Sequence, residues 1–209
     1  MQSGSLSLLV AWLGFGCAAR ATPVIDAPVI AETIDERDSV GKPELLIVAG
    51  DIPGSRRDSM LHAAREFYRF WATGDKQPLS RAISPLFVDR TLPKGRPQGA
   101  SGPATAGKAF HAAVPDLAVT VVQQLLVADR VVSHLRFTGH FTGTFGDLRG
   151  GGQQVDFIAT DIVRVQNGFI TDNWHIEDNL TFLQQIGLIV GVHTASMPSS
   201  APPGNAPSP

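Results

Sequence analysis

The chain has 209 residues, a formal charge of -2 and a pI near 6.3, which gives it no basic field to draw it to nucleic acid or to an anionic membrane surface. Aromatic residues make up 7% of it, too few for a base-stacking platform, while an apolar content of 43% suffices for one core domain of ordinary size.

Residues 1–21 read as an export signal. SLSLLVAWLGFG (5–16) is apolar but short for a bilayer span, and Ala19-Arg20-Ala21 fits a small-x-small cleavage site that would start the mature chain near Thr22. No Lys or Arg precedes the apolar run. Lipidation at Cys17, in the poor lipid-attachment sequence GFGC, is a second reading, and an uncleaved anchor or a mis-assigned start a third. Cys17 is the one cysteine, so cleavage after Ala21 removes disulfides, thiol nucleophiles and Cys-ligated zinc. A periplasmic or extracellular protein is the expectation.

Residues 22–57 read as a linker or N-terminal extension, in which ELLIVAGD (44–51) is either a strand or an appended turn. The core domain is expected over 58–190. DSMLHAAREFYRFWATGD has Asp58 as a cap, apolar residues at helical spacing (Leu61, Ala64, Tyr68, Trp71) and Gly74 as a stop. PLSRAISPLF (78–87) supports a second short helix interrupted near Pro85, and GPATAGKAFHAAVPD a third from about Pro103 to Val114, with Pro103 in the first turn. The same stretch nearly matches a phosphate-binding loop. It fails because Ala109 stands where a hydroxyl must hold magnesium and no strand precedes it.

After Pro115 come β-branched and aromatic runs: LAVTVVQQLLVAD, RVVSHLRFTGHFTGTF, QQVDFIATDIVRVQ and FITDNWHIE. Turns are expected at Asp129–Arg130, at GDLRGGG and at Asn167–Gly168. DNLTFLQQIGLI closes the core as a short helix, capped by Asp178, with Leu180, Phe182, Leu183 and Ile186 recurring. Residues 191–209 form a Pro/Ser/Ala/Gly tail expected to be disordered. Helices followed by an antiparallel meander indicate an α+β domain.

The candidate site comes from the last two strands. In QQVDFIATDIVRV the odd positions Val155, Phe157, Ala159, Asp161 and Val163 share one face, which leaves Asp161 as a lone carboxylate among apolar neighbours. Such a group needs a partner, water or a raised pKa. A two-residue turn at Asn167–Gly168 would put Asp161 opposite Trp174. A three-residue turn, Gln166–Asn167–Gly168, would put it opposite Asn173 with His175 diagonal. The second is preferred, because it gathers Asp161, Asn173 and His175 beside Phe157 and Ala159 and leaves Ile162, Ile170 and Trp174 outside. An Asp beside an imidazole can orient it and stabilise its charged form, which makes His175 and Asp161 the candidate catalytic pair. No two of the six histidines stand as H-x-H or H-E-x-x-H, so no metal is expected.

FHAAVPDLAVTV, DRVVSHLRFTGHFTGTF, FIATDIVRVQNGFI and NWHIEDNLTFLQQIG, in that order and spacing, resemble the SnoaL-like polyketide cyclase (ester cyclase) family of the nuclear transport factor 2-like superfamily, over roughly residues 58–190. The resemblance implies a cone-shaped α+β fold, with a curved antiparallel sheet wrapped around N-terminal helices and enclosing an apolar pocket. It implies ring closure by an intramolecular aldol reaction without metal or cofactor. In that family an Asp on the last strand is the general acid/base, helped by a His on the strand before. Here His175 falls where that Asp sits, Asp161 where that His sits, and Asn173 where many relatives have His. Asp89, in FVDRTLP, matches a pocket-facing position. The expected substrate-binding residues are therefore Asn173, Asp89, Phe157 and Ala159 and the expected ligand a small apolar molecule, and the resemblance implies pairing of two copies through the outer sheet face. Two functions stand side by side: a cofactor-free enzyme of cyclase, isomerase or hydrolase type with His175 as base and Asp161 orienting it, or a non-catalytic binding or assembly module.

Overall fold

The computed structural model describes residues 40–189. The proposed signal at 1–21, Cys17, most of the linker and the tail lie outside the described residues. The elements in chain order are β1 (Pro43–Val48), α1 (Gly54–Thr73), α2 (Lys76–Ala82), β2 (Ile83–Asp89), α3 (Ser101–Ala113), β3 (Ala118–Val127), β4 (Arg130–Phe141), a small hairpin of β5 (Thr144–Phe145) and β6 (Leu148–Arg149), β7 (Gln153–Gln166), β8 (Phe169–Glu177) and α4 (Asn179–Gln185).

The main sheet runs β1-β3-β4-β7-β8-β2. The four central strands form the expected antiparallel meander, but both edges are parallel: β1 pairs with β3 and β2 with β8. ELLIVAGD is thus a strand. The second half of PLSRAISPLF is also a strand rather than helix, and Pro85 fits there because β2 is an edge, where a missing N–H costs no ladder bond. The first helix begins at Gly54, one turn before Asp58, and Gly74 ends it in the left-handed conformation with its N–H donating to Phe70 O. Asp178 caps α4 by accepting from Thr181 N.

One face of α1 supplies Phe67, Tyr68 and Phe70 to the core against β4, β7 and β8. Helix α3 lies close to it at Gly107, where a Cβ would come within 2.6 Å of the Phe70 ring. The glycine that made GPATAGKA look like a phosphate loop is a packing residue.

The turn is the two-residue one left open by the sequence, not the preferred three-residue one, and the register differs from both expectations. Gln166 pairs with Phe169 across a two-residue turn in which Asn167 and Gly168 both have positive φ, 50° and 82°. A bulge then inserts Thr171, so Val165 faces Ile170 but Arg164 faces Asp172, and Asp161 lies directly opposite His175. The extra residue restores the inward face for Asn173 and His175. It also corrects the expectation for Ile170, which precedes the bulge and is buried in the core instead of facing out. Trp174 and Ile162 do face outward; the guanidiniums of Arg130 and Arg164 lie over the Trp174 ring at 5.2 and 5.7 Å from its centre.

Candidate functional site

A pocket opens between the helices and the inner sheet face. Its apolar wall comes from Phe67 and Trp71 of α1, Phe87 of β2, Phe110 of α3, Leu135 and Phe137 of β4, and Phe157 and Ala159 of β7. Phe137, Phe157 and Phe110 stack with centroids 5.0 and 5.9 Å apart. The polar wall is Asp89, Asp161, Asn173, His175 and Glu177, with Arg96 beside them. The cavity volume is about 30 Å³. A ring-sized ligand therefore enters only if side chains in the wall turn aside.

His175 is the centre of the polar wall. Its Nδ1–H donates to Glu177 Oε1 at 2.8 Å and its Nε2–H to Asp89 Oδ2 at 3.0 Å, and its side chain is 5% exposed. Its backbone N–H donates to Thr91 Oγ1, and Thr91 N–H in turn donates to Asp89 Oδ1. Gln98 clips the strand end: it accepts from Asp89 N at 2.7 Å and donates to Asp89 O at 2.9 Å. Burial alone would push His175 down, but the Glu177 hydrogen bond and charge, followed by those of Asp89, hold it up at about 9. The ring is an imidazolium at neutral pH. Burial would raise Glu177, yet the His175 hydrogen bond and charge keep it below the usual carboxylate range.

Asp161 stands across from His175 in the strand pair without a hydrogen bond to it. Burial raises its carboxyl, the His175 charge pulls it back, and the result is about 7. Behind it runs a polar row across the inner face of the sheet: Asp161 is paired with Ser133 of β4, and Ser133 with Gln124 of β3, whose Nε2 donates to Ser133 Oγ at 3.0 Å. The Tyr68 hydroxyl faces Ser133 and Asp161 from α1 but closes no hydrogen bond of good geometry, and Asn173 Oδ1 is likewise buried without a partner.

All six residues singled out in the sequence line the pocket: His175, Asp161, Asn173, Asp89, Phe157 and Ala159. The pairing differs from the expectation. Both ring nitrogens of His175 are taken by Asp89 and Glu177, so Asp161 does not orient the imidazole and the imidazole has no nitrogen free to act as a base. Glu177 was missed, although it lies two residues beyond His175 and strand alternation puts it on the same face. Arg96 sits in a loop with no periodicity to mark it. Among the described residues no group of three or more His, Asp or Glu is arranged to hold a metal; Asp89 and Glu177 lie at opposite nitrogens of the ring between them.

A sequence profile of the SnoaL-like polyketide cyclase family matches residues 61–186. A candidate polyketide cyclase of Bacillus cereus ATCC 10987 is 38% identical, over 77% of this chain and 99% of that one, with a TM-score of 0.65. A candidate SnoaL-like polyketide cyclase of Jannaschia sp. CCS1 is 20% identical, over 66% and 95%, with a TM-score of 0.55. IdmH of Streptomyces antibioticus, a candidate polyketide cyclase, is 24% identical, over 63% and 98%, at 0.54. These last two attest the fold alone. No curated protein matches the chain. The chain belongs to the SnoaL-like polyketide cyclase family, built on the nuclear transport factor 2-like fold, and that membership supports a role of cyclase or isomerase type.

Proposed function

We propose that this protein carries out cyclase- or isomerase-type proton transfer on a small, largely apolar carbonyl compound, using its own side chains as acid and base. The observation that carries the reading is the placement of one enclosed carboxylate, Asp161, on an aromatic pocket wall directly opposite an imidazole gripped by two other carboxylates. Asp161 is the group that takes and returns the proton. Its carboxylate takes the proton from the carbon beside the carbonyl, and the C–H electron pair moves through the new C=C bond onto oxygen. The enolate then attacks a second carbonyl of the same molecule, or is reprotonated at another carbon, and the neutral Asp161 returns the proton to the alkoxide or carbon so formed. Burial favours the neutral form of Asp161 once it has the proton. His175 contributes fixed positive charge near the developing enolate rather than a transferable proton.

The test is deuterium exchange at the carbon beside the ketone of a flat aromatic keto ester such as methyl benzoylpropionate, followed by NMR. Exchange above the buffer rate is expected, and Asp161→Asn should slow it by about 10²-fold or more. Binding without exchange would instead indicate a non-catalytic binding module.

The proposal extends to the molecule's surroundings. The outer sheet face exposes Ile158, Ile162 and Ile176, a surface suited to a second copy of the chain. Export rests on the apolar run ending in Ala19-Arg20-Ala21; N-terminal sequencing of the protein made from its native start should find Thr22 first, and a retained Met1 in a cytosolic product would refute it. Among the described residues no helix is long and apolar enough to cross a membrane.

A further inference from the structure

Arg96 lies in the loop between β2 and α3 and forms part of the pocket lining, half-buried. The loop is not a free tether. Arg96 N–H donates to Pro93 O at 3.0 Å, Gln98 ties the loop to Asp89 at both its ends, and the first turn of α3 presses on it so closely that a Cβ at Gly102 would come within 2.6 Å of Pro97 O. Among the described residues the Arg96 guanidinium has neither a hydrogen-bond acceptor nor an ion-pair partner, whereas Arg81, Arg90, Arg136 and Arg164 all have one. It acts on Glu177 only through its charge.

A guanidinium held at the edge of an aromatic pocket, with its donors unused, is the fork that matches a carboxylate. The charges facing the pocket allow one to enter. Asp89 and Glu177 are balanced by His175 and Arg96, and Asp161 is the remaining ionisable group. With Asp161 protonated the site is neutral overall; with Asp161 ionised it carries one negative charge.

We propose that Arg96 binds a carboxylate of the ligand, so that the pocket takes aromatic keto acids in preference to their esters. This rests on the reading above that the pocket receives a carbonyl compound, and adds that the compound is an anion. Phe110, Phe137 and Phe157 hold the ring, Asp161 meets the carbon beside the ketone, and Arg96 fixes the acid end. A ligand anion and an ionised Asp161 repel each other, so the acid binds best when Asp161 is protonated, and its advantage over the ester shrinks as pH rises through about 7.

The experiment compares benzoylpropionate with its methyl ester by calorimetric titration at mildly acidic pH, on the unaltered protein, Arg96→Gln and Arg96→Lys. On the unaltered protein the acid is expected to bind about tenfold tighter or more, the scale of a charge-assisted hydrogen bond. Arg96→Gln should bring acid and ester level while leaving ester binding within about twofold, and Arg96→Lys should keep part of the preference. Equal affinities on the unaltered protein, no binding of either compound, or equal losses of both in Arg96→Gln would overturn the inference. The acid–ester comparison needs no variant, so a misfolded Arg96→Gln does not protect the idea. Deuterium exchange separates it from the catalytic reading: exchange of the ester without any acid preference removes only the role of Arg96, and an acid preference without exchange removes only the chemistry.

Discussion

On the proposed mechanism Asp161 and His175 set the pH range in which the site works. A base must be ionised, so turnover should rise through about 7, and it should fall as His175 loses its proton at about 9. A bell-shaped profile of kcat/KM with those limbs is the expected result. The His175 charge lowers the Asp161 pKa, so replacing the ring by His175→Asn should move the acidic limb to higher pH and abolish the alkaline limb. An unmoved acidic limb would mean that the two groups do not sense each other. That Asn173, His175 and Glu177 share a face was legible in the sequence, because alternation along NWHIE sorts side chains by parity, but which face turns inward hung on the hairpin register. Their pairing was not legible. The Nε2 partner of His175 comes from Asp89 on an edge strand, 86 positions away, and no local pattern joins the two. The Nδ1 partner, Glu177, is only two residues on, but an exposed strand end and an inward wall read alike in sequence.

The β7–β8 hairpin shows why register escapes a short sequence. Asn167–Gly168 is a strong turn signal and its two-residue turn is present, yet that turn alone would leave Asn173 and His175 on the wrong side of the sheet. Thr171 corrects this by bulging. Deleting Thr171 should therefore turn Asn173, His175 and Glu177 outward, or melt the hairpin, and in either case remove pocket binding; circular dichroism with a ligand titration would tell which. At α3, Gly107→Val would drive a branched side chain into the Phe70 ring, and a loss of about 1–3 kcal/mol is expected in urea denaturation. The four central strands and the long helices were readable, since each is long and strongly patterned. The edge strands were not: β1 and β2 are short, β2 contains Pro85, and parallel pairing with β3 and β8 depends on chain crossovers rather than on any neighbouring turn.

For the molecule as a whole, the raised pKa values of Asp161 and His175 weaken the fold as pH rises. Asp161 rises from an ordinary 3.8 to about 7, so its contribution is complete below about 3.8 and is lost as pH climbs through about 7. His175 rises from 6.5 to about 9, so its contribution is complete below 6.5 and is lost through about 9. Thermal stability should fall across this whole span, and Asp161→Asn should flatten its lower part while leaving the fall toward 9. On the outside, Ile176→Asp should shift sedimentation from dimer toward monomer if the exposed isoleucines of the sheet hold a second copy. Strand β8 links that surface to the pocket. Trp174 is braced by two arginines on one side of the strand, while Asn173 and His175 line the pocket on the other. The indole and the imidazole are therefore carried by adjacent residues on opposite faces of one strand. Of the two indoles among the described residues, Trp71 lines the pocket and Trp174 faces out, so Trp71→Phe would leave the Trp174 emission as an optical report on that strand alone.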